Sequence, residues 1–197
     1  MNLKTLLMQI ELEFSLVSLG DNYTLAEEDY ADTSYWYFDK KHPDSNLTEE
    51  DWTNQEIRFF ETCSWLSADQ EEAIQAIKEK RKMTNRFINP LDIPVLYLNS
   101  YFTGFSSLKP QAYLFYTPAI MKYVLSDPDA FYSNSFLWWH LRLRRADSQS
   151  EIVELLKYFS EMQIQILEDF LLYVFDSGND NDEIKSALDN LKLISNS

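Results

Sequence analysis

Two stretches of the chain gather residue types that can do chemistry. FLWWHLRLRR, from Phe136 to Arg145, sets His140 close to Arg142, Arg144 and Arg145. An imidazole can move a proton and guanidiniums can grip phosphate or carboxylate through paired N–H bonds, so these four residues read as a candidate anion site. The second stretch, EEDYADTSYWYFDKKHPD from Glu27 to Asp44, carries five carboxylates and five aromatic rings in its first thirteen residues. Tyrosine and tryptophan dominate interface hot spots, and a ring of carboxylates selects a cationic partner. Glu27, Glu28, Asp29, Asp32, Tyr35, Trp36, Tyr37 and Asp39 therefore read as a partner-binding strip, extended by Glu49, Glu50 and Asp51.

Each stretch also has a plain structural explanation. The arginines fall in the last turn of an expected helix, where cations are favoured, and carboxylates elsewhere can pair with them. Tyr30, Trp36 and Phe38 can pack on a core while Glu27, Glu28 and Asp29 decorate a first helical turn. A third cluster, DSGNDNDE, crowds Asp176, Asn179, Asp180, Asp182 and Glu183 into one turn but lacks the spacing of a calcium loop, and reads as a solvated connection. The lone cysteine, Cys63, reads as a small buried hydrophobe. No H-E-x-x-H, G-x-S-x-G or P-loop pattern occurs, so the sequence assigns no catalytic residue, metal or cofactor.

The 197 residues carry a net charge of −15, unevenly spread. Residues 1–70 hold 15 acids and 4 bases, residues 71–145 hold 6 and 10, and residues 146–197 hold 11 and 3. Acidic ends disfavour direct contact with a nucleic-acid backbone and favour a basic protein, whose opposite potential speeds encounter. A single cysteine fits a reducing compartment. Glu11 and Glu13 interrupt the apolar run of MNLKTLLMQIELEFSLVSLG, so it reads as a helix of the mature domain rather than a leader, and no window is apolar enough to span a membrane. The expected setting is the cytoplasm.

The elements that must position these residues are helices. Three glycines and six prolines punctuate the chain, and apolar residues recur at three- and four-residue intervals. A first helix is expected from Leu3 to Ser18, stopping at Gly20, and a second opens at Thr24 with Glu27 closing a capping box. Further starts fall at Thr48 and at Ser67, the latter with Gln70, and the helix from Ser67 ends in the basic run KEKRK, as the macrodipole favours. Val95 to Tyr101 fits either a short strand or a buried helix. Ser107 is expected to cap a helix through QAYLFYTPAIMKYVL with Pro118 inside it, and Asp127-Pro128 to open the helix through FLWWHLRLRR. One long helix is expected from Ser150 to Phe175 and a last one from Asp182 to Ile194. The expected fold is an all-α, irregular multi-helix bundle forming one domain over 1–197, with 1–66 a candidate N-terminal subregion.

The block SLKPQAYLFYTPAIMKYVL, followed by ADSQSEIVELLKYFSE, resembles a family of small uncharacterised bacterial helical proteins. The carriers are Phe115, Tyr116, Pro118, Ala119 and Met121, then Gln149, Leu156 and Tyr158, over about residues 90–160. The resemblance implies architecture and no activity. Small acidic proteins of this type occur as partners in bacterial toxin and immunity systems.

The expectation is a non-enzymatic, acidic protein-binding module of the immunity or antitoxin type, docking a basic toxin or another basic protein. An enzyme centred on His140 and Arg144 is the first alternative. A homo-oligomeric structural protein that buries its aromatics against itself is the second.

Overall fold

A stripe of Leu6, Ile10 and Phe14 at four-residue spacing makes the first helix amphipathic and seats it on the core. The computed structural model describes residues 2–29, 50, 54, 57–58, 87–146, 148–177 and 182–195, and helices are numbered here along those residues. Helix α1 spans Leu3–Phe14, capped by the Asn2 side chain, which accepts from the Thr5 N–H. It stops short of the expected Ser18. The Val17 N–H bonds back to the Phe14 carbonyl in a tighter turn, Gly20 adopts a left-handed φ of 61°, and Gln163 Nε2 donates to the Glu13 carbonyl that the helix leaves free.

Helix α2 begins at 25–29. Among the described residues no strand occurs, and Val95–Ser100 is a helix, α3, preceded by Pro94. Tyr97 and Leu98 face the core while Val95 and Leu96 face out, a helical rather than an alternating pattern. A 3₁₀ turn over Phe102–Ser106 leads to α4, Pro110–Ser126. That helix starts at Pro110, with Lys109 rather than Ser107 at its cap, because proline fits the first helical position, where no N–H bond is needed. Every residue from Ala112 to Met121 is buried, so α4 is the central rod of the molecule.

Asp127-Pro128 opens a 3₁₀ turn, Pro128–Tyr132, instead of the following helix. Helix α5, Asn134–Arg144, is capped by Ser133. The expected long helix is two: α6, Gln149–Leu156, and α7, Glu161–Asp176, the second opened by a full capping box between Ser160 and Gln163. Helix α8 spans Asp182–Ser195 and packs on α5, α6 and α7. Thr48, Ser67, the KEKRK run, Cys63 and residues 178–181 of the DSGNDNDE turn lie outside the described residues.

Aromatic rings tie α4 to its neighbours. Tyr113 stacks on Trp139 with centroids 5.9 Å apart, and Trp139 and Phe136 both meet Phe170 edge-on. Thr117 joins the same layer: its hydroxyl donates to the Tyr113 carbonyl (2.7 Å) and accepts from Trp139 Nε1 (3.1 Å). Next to it, Pro118 has no N–H to offer the preceding turn.

Candidate functional site

Glu27, Glu28 and Asp29 are 4%, 6% and 7% exposed, so these three carboxylates are not a docking surface. The reason is local and tertiary at once. Glu27 closes the capping box, its carboxylate accepting from the Thr24 N–H (2.6 Å) while the Thr24 hydroxyl accepts from the Glu27 N–H (3.1 Å). The other free donors of this helix start, the N–H groups of Leu25 and Ala26, go to the buried hydroxyls of Tyr116 (3.0 Å) and Tyr97 (3.1 Å). With its donors satisfied by protein, the helix end can be sunk in the core. Gly104 permits the close approach, since a Cβ there would run into the Leu25 carbonyl oxygen, and Asp29 accepts from the Thr103 hydroxyl on the same turn.

Glu28 is the electrostatic oddity. Burial pushes its carboxyl up from 4.5 to about 7, with Glu27 adding to the rise and Lys109 and Arg142 opposing it. Asp32, Tyr35, Trp36, Tyr37, Asp39, Glu49 and Asp51 lie outside the described residues, and Glu50 is helical and exposed.

The four members of the expected anion site do not converge. Residues 140 and 142 are about 200° apart around a helix, and so are 142 and 144. His140 and Arg144 face α8, where Arg144 pairs with Glu183 and His140 Nε2 lies 3.4 Å from the other Glu183 oxygen. His140 is buried, stacks on Phe136, and has Nδ1 3.0 Å from the Phe136 carbonyl, so its Nδ1 carries the proton. Burial lowers its pKa below 6.5, more than Glu183 raises it. With Asn190 Nδ2 donating to the Leu143 carbonyl (2.8 Å), the Arg144–Glu183 pair clamps α8 to the end of α5, while the unprotonated His140 Nε2 is buried without a hydrogen-bond partner among the described residues.

Arg142 points the other way. Its Nη1 donates to the carbonyls of Leu108 and Phe105, and its guanidinium lies 5.3 Å from the Tyr113 ring centroid. Arg142 and the exposed Arg145 line a cavity of about 560 Å³ between α5 and α6, walled by Trp138, Leu141 and Leu155 and edged by Glu151 and Glu154.

A different acidic surface emerges on α7. Glu161, Met162, Gln165, Glu168, Asp169, Leu172, Tyr173 and Asp176 fall within one half of the helix circumference, and none of them is buried. The helix has no lysine or arginine, and among the described residues none of its four carboxylates forms an ion pair. Met162 (50%) and Leu172 (40%) stand exposed among them. Asp169, Leu172, Tyr173, Asp176 and Ser177 line a hollow of about 340 Å³ at the end of this face. The signal was readable as a helix-length run with four acids and no base.

No described helix is long and apolar enough to cross a membrane. No family model, curated protein or solved structure matches the chain.

Proposed function

We propose that this protein is a non-enzymatic binding module whose acidic α7 face docks a basic protein. The supporting observation is the α7 stripe itself: four carboxylates with no ion pair among the described residues, around exposed Met162 and Leu172, with Tyr173 at a hollow. Carboxylates select and steer a cationic surface, while the apolar groups supply area that water leaves on contact. A toxin that attacks nucleic acid must present positive charge to phosphates, so a basic protein of that kind is the class of partner this charge pattern suits. Arg144 of α5, by contrast, is engaged with Glu183 in holding helices together.

The test is capture from the source lysate with three tagged forms: wild type, the triple variant E168K/D169K/D176K, and E11K/E13K as a charge-reversed control on α1. A basic protein should be retained by wild type and control at low salt, and lost both at high salt and by the triple variant with its circular dichroism unchanged. Equal retention by the triple variant removes α7 from the account.

A further inference from the structure

The cavity between α5 and α6 lies on other elements than the proposed docking face, and its two walls differ in kind. Trp138, Leu141, Arg142 and Arg145 recur at three- and four-residue spacing, so one face of α5, continued by its C-cap residue Arg145, supplies an indole, an aliphatic side chain and two guanidiniums together. Trp138 is braced by Phe102, with ring centroids 6.1 Å apart. Arg142 is held in place by its bonds to the Leu108 and Phe105 carbonyls. Arg145, one turn along from the braced arginine and about 60° from it around the helix, has no carboxylate partner among the described residues. On the opposite wall Leu155 closes the apolar slot, and Glu154 is already paired with Lys157 (2.7 Å).

We infer that this cavity binds a small organic anion with an aromatic body, its acid group on Arg145 and Arg142 and its ring between Trp138 and Leu155. The volume, about 560 Å³, falls within the range of small-molecule clefts, and the mostly apolar wall with a few convergent polar groups is their usual construction. A guanidinium pair favours a carboxylate, sulfonate or phosphate, and a planar ring stacks on indole or guanidinium alike. Glu151 and Glu154 on the far wall orient the ligand, because an acid group turned towards them is repelled.

Two probes of similar shape separate charge from greasiness: the aromatic sulfonate 8-anilinonaphthalene-1-sulfonate and the neutral N-phenyl-1-naphthylamine. Fluorescence titration of wild type should show saturable binding of the sulfonate at one site. Arg145→Gln should weaken the sulfonate by at least tenfold and the neutral probe by less than threefold. Trp138→Ala should weaken both. Arg145 is exposed, so its variant tests binding without endangering the fold. The inference is overturned if the sulfonate binds wild type without saturating, or if Arg145→Gln leaves the ratio of the two affinities unchanged. Neither result bears on α7, whose variants leave this cavity intact.

Discussion

Replacing Glu28 with glutamine should make the protein more stable at alkaline pH while changing it little in acid. The side chain is 6% exposed, and its carboxyl holds a proton up to about pH 7 when folded against 4.5 as the model-compound value. A carboxyl that binds its proton more tightly in the folded state makes the fold lose stability as pH rises from the unfolded pKa through the folded one. A gap of about 2.5 units is worth at most about 3.4 kcal/mol, and roughly 2.5 kcal/mol of it falls between pH 5 and pH 8. Glutamine has nearly the same shape and no charge to lose, so the variant lacks this slope. Urea unfolding of both forms at pH 5, 6, 7 and 8 should show the variant gaining on wild type by about 2–3 kcal/mol across the series, about 1 M in midpoint for a chain of this size. A difference that stays flat with pH would mean that Glu28 titrates as an ordinary exposed carboxyl, and would refute the buried environment assigned to it.

Gly104→Ala should destabilise the fold by about 2–3 kcal/mol, lowering Tm by roughly 5–10 °C, because a methyl there meets the Leu25 backbone rather than a side chain that can swing away; an unchanged Tm in calorimetry would show that α2 does not press on this turn. His140 should titrate below 6.5 when its ring proton signals are followed by NMR, and its contribution to stability, present above pH 6.5, should fade as pH drops through that lower value. A midpoint above 6.5 would mean that Glu183 outweighs burial.

The helices were largely legible because their apolar spacing and caps are local. The stripe Leu6, Ile10 and Phe14 and the Thr24–Glu27 box both stand where the sequence puts them. What misled was local signal with a second valid use. Asp127-Pro128 starts a 3₁₀ turn as readily as a helix, and the apolar period running through Leu155, Leu156 and Phe159 masked the break that Ser160 and Gln163 announce with a capping box of their own. The burial of Glu27, Glu28 and Asp29 was not legible at all. It depends on Tyr97, Thr103 and Tyr116, some seventy to ninety residues away in the chain, and on a glycine that lets two backbones meet. The separation of Arg142 from His140 and Arg144 follows from helix geometry alone and was available beforehand.

The measurement closest to the central claim is amide hydrogen exchange on the full chain, alone and with the basic protein that it captures. The account predicts added protection confined to peptides covering residues 161–177, abolished by high salt. Protection over α1 or over the α5–α6 cavity, with α7 exchanging as in the free protein, would contradict it.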